Sequence, residues 1–409
     1  MTLYDTFSIL IVLSALFAYI NYRFVKLPSA IGLMLIALLT SVGLIVLGII
    51  SPPLVVSIAN EVKRFDFSQL LLNSMLSFML FAGAIHIRLV ELRKERLSII
   101  LFSTLSVVIS TFLIGSVLYY LLPLFGLGMS FLSCLLFGAL ISPTDPIAVL
   151  GILKEANIAK SLEMKIAGES LFNDGVAVVV FLTILHTVQQ PVTPNGLDVT
   201  LLFLREAGGG ILWGLMVGYV GFLLMRSIDN YKVEVLISLA VVMGGYAVAS
   251  MLHISGPLAM VAAGILVGNQ GKEFAMSETT REYIDKFWEL IDESLNAILF
   301  VLIGLELLII HVESSYYAIA AIAIIVVLLA RYSSVWVPAQ LIRWKESINQ
   351  KTLLVLTWGG LRGGISIALA LSLPVDAGKD LWVALTYSIV AFSIVVQGLT
   401  IGKLARVKG

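Results

Sequence analysis

The sequence predicts an all-α polytopic membrane protein of about thirteen transmembrane helices, arranged as two inverted repeats of six with crossed, broken helices. Three observations lead there. Of 409 residues, 59% are hydrophobic and only 13% are charged, with a mean hydropathy of +1.02. A soluble domain carries about 25% charged residues. The apolar residues fall in runs long enough to cross a hydrocarbon core, which takes about 20 helical residues. Two of these runs are interrupted by residues that break helices, at corresponding places in the two halves of the chain.

Taken in order, the candidate spans are 4–20, 29–50, 70–86, 98–123, 130–153, 166–188, 207–225, 233–252, 256–269, 290–311, 316–342, 352–373 and 381–401. The ninth is short and opens on Gly256 and Pro257. The fourth and eleventh are long, which implies tilt. The start of the chain lacks a basic n-region, so the first span is read as retained rather than cleaved. Basic residues follow the odd-numbered spans: Arg23 and Lys26; Arg88, Arg93, Lys94 and Arg96; Lys154, Lys160 and Lys165; Arg226 and Lys232; Lys272, Arg281 and Lys286; Arg343, Lys345 and Lys351; Lys403, Arg406 and Lys408. Loops 124–129, 189–198 and 312–315 lack Lys and Arg, while Lys63, Arg64 and Lys379 sit among acidic residues. The positive-inside rule then places the N-terminus outside and the C-terminus in the cytoplasm. The longest loop, 270–289, mixes charge with Phe274, Tyr283 and Phe287, and suits either an interfacial cytoplasmic helix or a solvated connector.

Span five carries Pro143 and Pro146 around Asp145. Proline lacks the amide donor and clashes one turn back, so the helix opens there. Span twelve carries Gly359, Gly360, Gly363 and Gly364 around Leu361 and Arg362, a second break at membrane depth. The breaks occupy the fifth place in a first repeat (1–188) and in a second repeat (233–401), with 207–225 as a linker helix. Paired interrupted helices at corresponding positions point to a transporter's midplane site.

The chemistry lies around these breaks. Membrane-depth carboxylates each cost about 2.5–3.5 kcal/mol by insertion scales and mark cation sites or proton relays. Asp145, Glu169 and Asp174 fall within thirty residues. On a helix Ser170 and Asp174 share one stripe, and Glu169 and Asn173 the adjoining one. With the unwound backbone at Thr144 and the carboxylate of Asp145, these oxygens suit a hard cation. Arg362, an arginine at depth, needs partners. The expected partner is Glu169, in a bidentate pair completed by Asn173. That leaves Asp174 as the carboxylate where a proton and a cation compete. Glu306 and Arg331 also lie in apolar runs and are read as structural, with their pairing undecided. His86, His186, His253 and His311 are scattered near span ends and suggest no transition-metal site; Cys134, the single cysteine, reads as a small buried hydrophobe.

Four stretches carry a resemblance: 142–150 (SPTDPIAVL), 168–175 (GESLFNDG), 255–269 (SGPLAMVAAGILVGN) and 359–366 (GGLRGGIS). In these the chain resembles the NhaP-type sodium/proton antiporters of the monovalent cation/proton antiporter superfamily, prokaryotic relatives of the eukaryotic exchangers, over essentially its whole length. The resemblance implies an NhaA-like antiporter fold and a Na+ site formed by Asp174, Ser170, Glu169 and the Thr144 backbone. Asp145 would stand beside it, with Asn173 and Arg362 supporting. Electrogenic relatives carry a second aspartate where this chain has Asn173, and a lysine on the second broken helix. The resemblance therefore implies electroneutral exchange of one Na+ or Li+ for one proton. It also implies a homodimer in a cell (inner) membrane, serving sodium extrusion or pH homeostasis. Only residues 402–409 follow the last span, which suits a bacterial, archaeal or truncated chain.

Other classes fare less well. Zero net charge suggests no nucleic-acid partner, and no cofactor is expected beyond the transported ions. A K+/H+ antiporter of the same fold is the nearest alternative, because ligand types alone do not separate the two cations. An intramembrane aspartyl protease using Asp145 and Asp174 lacks the Tyr-Asp and Gly-x-Gly-Asp motifs, so the chain is not expected to be an enzyme. A channel would need a continuous polar pore.

Overall fold

The computed structural model describes residues 3–53, 56, 59, 67–155, 158–189, 196–309, 314–342 and 348–406; among these the chain is helical, with one isolated β-bridge. His311, Arg343, Lys345, Lys408 and the mixed-charge residues Lys63 and Arg64 lie outside the described residues.

The helices are α1 (Leu3–Ile20), α2 (Ser29–Ile50), α3 (Leu76–Ile85), α4 (Leu89–Phe125), α5 (Phe131–Ile141), α6 (Ile147–Glu155), α7 (Lys160–Gln189), α8 (Gly196–Arg226) and α9 (Tyr231–Met251). They continue as α10 (Gly256–Leu266), α11 (Glu278–Glu306), α12 (Ser314–Leu341), α13 (Gln350–Trp358), α14 (Gly364–Leu371) and α15 (Lys379–Arg406). Eight of them, α1, α2, α4, α7, α8, α9, α12 and α15, are long and apolar enough to cross a membrane, and α3 and α5 are shorter apolar helices.

Side-chain caps set several starts. Ser130, Asn230, Ser255, Ser277 and Asn349 accept from the backbone N–H two or three residues on, opening α5, α9, α10, α11 and α13. Pro257 in the first turn of α10 costs no hydrogen bond, since that N–H has no helical partner.

Two expected boundaries move. The charged run 89–97, read as a loop, is the first part of α4, which continues unbroken to Phe125. The stretch 278–289, within the longest expected loop, is helical and continues into the following span as α11. It is amphipathic and lays Ile284 and Trp288, one turn apart, into the core, where Trp288 Nε1 donates to Ser238 Oγ at 3.1 Å.

Lipid gives no hydrophobic drive between helices, so close backbone approach must hold them. Gly210, Gly214 and Gly218 form a stripe on α8. A Cβ there would lie 2.5 Å from Ser255 O, 2.1 Å from Ala259 O and 3.0 Å from Ala263 Cα of α10. Freed carbonyls are satisfied across helices as well. Pro338 inside α12 leaves the carbonyl of Ser334, one turn back, without its amide, and Ser106 Oγ of α4 donates to it at 2.6 Å.

Both predicted breaks are present. Residues 142–146 separate α5 from α6, and 359–363 separate α13 from α14. The breaks cross: Asp145 and Leu361 form the isolated antiparallel bridge, with Asp145 N–H donating to Leu361 O at 2.8 Å. Four half-helix ends therefore converge on one point in the core.

Candidate ion-binding site

The crossing divides its charges between two cavities. On one side lies a cavity of about 180 Å³. Its polar lining comprises Thr144 and Asp145 from the first break, Asp174 from α7, Asp292 from α11 and Ser366 from α14, with no Lys or Arg. It reaches Ile87, at the end of α3 that leads into the basic 88–96 stretch. On the other side is a space of about 10 Å³ lined by Arg331, Arg362, Thr357 and Gln397 among apolar side chains. Asp145, Asp174 and Asp292 thus border one space and the two arginines the other.

The α7 stripes behave as their spacing predicts. Asp174 is half-buried and lines the larger cavity. Ser170, one turn earlier, places Oγ 3.1 Å from Thr144 Oγ1. On the adjoining stripe Glu169 and Asn173 are both buried to 1% exposure.

Their partners differ from the expectation. Glu169 pairs with Arg331 of α12, not with Arg362: Arg331 Nη1 lies 2.5 Å from Glu169 Oε1, and Arg331 Nη2 donates to Leu356 O at 3.1 Å. Arg362 instead donates through Nη1 to the carbonyls of Ser142 and, at 3.0 Å, Pro143, while its backbone N–H donates to Ser393 Oγ at 3.0 Å. The physical reason is the crossing itself. It sets the 359–363 break against the C-terminal end of α5, where unsatisfied carbonyls carry the negative end of the helix dipole. Arg331 does the same for the last turn of α13. Each half-helix C-terminus at the crossing is thereby met by a guanidinium, at 5% exposure for Arg331 and 2% for Arg362.

Asn173 likewise does not bond to Glu169. Its Nδ2 donates to Thr144 Oγ1 at 2.7 Å, and its Oδ1 accepts from Thr144 N–H at 3.4 Å. The amide holds the unwound segment by both its backbone and its side chain, which fixes where Thr144 and Asp145 face the cavity.

Glycine matters at two points here. A Cβ on Gly363 would lie 2.5 Å from Asp145 Oδ2, and one on Gly360 would lie 2.5 Å from Arg331 Nε. The bare backbone lets Asp145 and Arg331 pack against the second break from opposite sides.

Of the sequence-predicted residues, Asp174, Asp145 and Thr144 line the cavity; Ser170 and Asn173 reach it through Thr144; Glu169 and Arg362 sit behind the crossing in its structural framework. Sequence reasoning missed Asp292 and undervalued Arg331. Asp292 carried a usable signal: it lies within the candidate span 290–311, four residues before Asn296, the carboxylate–amide spacing that Glu169 and Asn173 also show. Glu306 is buried and, among the described residues, has no ion-pair partner, so it does not pair with Arg331. No His/Cys/Asp/Glu cluster able to hold a metal ion exists among the described residues. His86 stands 3.6 Å from Asp285, His186 lies in the last turn of α7, and His253 closes α9 with Nδ1 3.2 Å from Ser250 O. Cys134 is buried and free.

The third motif contributes no side chain to the cavity lining. Ser255 caps α10, and Asn269 clamps the far end of α3, with Nδ2 donating to Ile87 O at 2.9 Å and Oδ1 accepting from Leu89 N–H at 2.7 Å.

Comparison with known proteins agrees with this architecture. The family described as "Sodium/hydrogen exchanger, transmembrane" matches residues 12–407. The chain is 49% identical to the Na(+)/H(+) antiporter NhaP of Pseudomonas aeruginosa, over 98% of this chain and 96% of that one. It is 34% identical to the Na(+)/H(+) antiporter NhaH of Halobacillus dabanensis, over 95% and 93% respectively. Its fold superposes on the sodium proton antiporter MjNhaP1 from Methanocaldococcus jannaschii with a TM-score of 0.75 at 21% identity, covering 99% of this chain and 98% of that chain. The chain therefore belongs to the sodium/hydrogen exchanger family of transmembrane proteins.

Proposed function

We propose that this protein is a secondary active transporter that exchanges Na+ or Li+ for a proton at Asp174 by alternating access. The observation that carries the proposal is the placement of Asp174, a half-buried carboxylate lining an otherwise largely apolar cavity at the point where two broken helices cross. A proton and a cation compete for one carboxylate, and Thr144, Ser170 and Asp145 supply further oxygens. The names of the two relatives above, both Na(+)/H(+) antiporters, support the choice of ions.

The stoichiometry we infer is one cation for one proton. Asn173 is a neutral amide committed to Thr144, and both arginines are committed to structural partners, which leaves Asp174 to exchange its ligand. A site that returns with the same charge in either state is electroneutral. We place the cavity's opening on the cytoplasmic side in this conformation, from the basic residues at that end of the bundle, with the N-terminus outside. The two halves, 1–188 and 233–401, act as inverted repeats joined by 207–225, in a homodimer.

The test is reconstitution in liposomes with an internal pH dye, an imposed Na+ gradient and the membrane potential clamped at several values. Na+-driven proton movement that ignores the potential, and is abolished in Asp174→Asn, is expected. Substantial exchange by Asp174→Asn sinks the site assignment. A potential-dependent rate overturns the stoichiometry, and a response to K+ but not Na+ makes the protein a K+/H+ antiporter.

A further inference from the structure

We propose that Asp292 and Ser366 form a second cation subsite in the same cavity, an entry station from which Na+ passes to Asp174. The inference rests on the antiport reading above.

Three observations lead to it. First, Ser366 borders the cavity and is buried to 1% exposure, and its Oγ has no hydrogen-bond partner among the described residues. A buried hydroxyl without a partner costs free energy and calls for an occupant of the space it faces. Second, the cavity brings Asp292 of α11 together with Asp145 and Asp174 and contains no cationic side chain. The cations of the region, Arg331 and Arg362, are committed on the far side of the crossing. Carboxylates confined between low-dielectric walls concentrate cations. Third, Asp292 is held: Asn296, a turn further into α11, donates to its carboxylate. A side chain fixed in this way is preorganised to bind.

The ligand is a hard monovalent cation that keeps part of its water shell. Asp292 supplies a carboxylate oxygen, Ser366 a hydroxyl, and the cavity of about 180 Å³ has room for the remaining water. Asp292 and Ser366 come from α11 and α14, whereas Asp174, Ser170 and Thr144 come from the first half of the chain. Asp292 and Ser366 thus border the same cavity as Asp174 and Thr144 but belong to the other half of the chain.

The experiment measures Na+ dependence of proton flux in proteoliposomes with Na+ supplied to the cavity-open face, for wild type, Asp292→Asn, Asp292→Glu and Ser366→Ala. Asp292→Asn is expected to raise the apparent KM for Na+ about tenfold, equivalent to about 1.4 kcal/mol, with the maximal rate within about twofold. Ser366→Ala should raise it about threefold, and Asp292→Glu should recover most of the loss. The increase must persist at high choline chloride; disappearance there marks long-range steering and overturns the subsite. An unchanged KM in both Asp292→Asn and Ser366→Ala also overturns it, as does a lost maximal rate at unchanged KM.

A binding readout separates this proposal from the main one. Na+ should still raise the melting temperature of Asp174→Asn protein, and should not do so in Asp174→Asn/Asp292→Asn. Equal Na+ stabilisation of both overturns the subsite whatever the transport result. Retained exchange in Asp174→Asn overturns the principal site instead.

Discussion

Replacing Arg331 by methionine isolates the part of the site that the sequence misassigned. Arg331 and Glu169 are buried to 5% and 1% exposure with Nη1 and Oε1 2.5 Å apart. Removing one partner of such a pair leaves an uncompensated charge in a low-dielectric interior, at a cost of about 3–5 kcal/mol. The bond from Nη2 to Leu356 O is lost as well, so the upper part of that range is expected. Glu169→Gln should cost a similar amount. Combined, the changes should cost much less than their sum, because each removes the other's stranded charge, and the coupling energy should reach at least about 2 kcal/mol. The same cycle between Glu169 and Arg362 should give under about 1 kcal/mol, since Arg362 spends its Nη1 on the carbonyls of Ser142 and Pro143. Equilibrium unfolding in mixed micelles of a mild detergent and dodecyl sulfate measures all six proteins. A larger coupling of Glu169 to Arg362 than to Arg331 would refute the assignment.

Three further outcomes are expected. Gly363→Ala brings a methyl carbon to 2.5 Å from Asp145 Oδ2, so Na+-driven proton flux should fall at least about tenfold, about 1.4 kcal/mol, with melting in detergent little changed. Gly214→Leu drives α8 off the carbonyl of Ala259, 2.1 Å from the new Cβ, and should cost more than the usual ~1–3 kcal/mol of overpacking; Gly208→Ala, a helix position with nothing within 4 Å, should leave melting unchanged or raise it slightly. Ser106→Ala strips the donor from the Ser334 carbonyl that Pro338 leaves free, and should lower stability by about 1–3 kcal/mol without altering the apparent affinity for Na+.

The sequence by itself determined the helical membrane architecture, the two breaks and the faces of α7. These are local consequences: lipid leaves a backbone few options besides the helix, Pro143 and Pro146 deny it a hydrogen bond, the glycines around Arg362 weaken it, and a four-residue spacing aligns Ser170 with Asp174. The extent of α4 and α11 was less legible, because their charged first parts resemble loops in composition and become helices by packing one face. The tertiary structure alone decided which charge meets which. Arg331 lies 162 positions from Glu169 in an apolar run without a motif, and Arg362 lies 219 positions from Pro143. Either arginine could have satisfied Glu169 chemically; the crossing of the two broken helices set Arg362 against the carbonyl end of α5 and left the carboxylate to α12. Asp292 joined the cavity for the same reason. A periodicity specifies which face of a helix a side chain occupies, but the neighbour across that face is a distance between segments, and packing sets that distance.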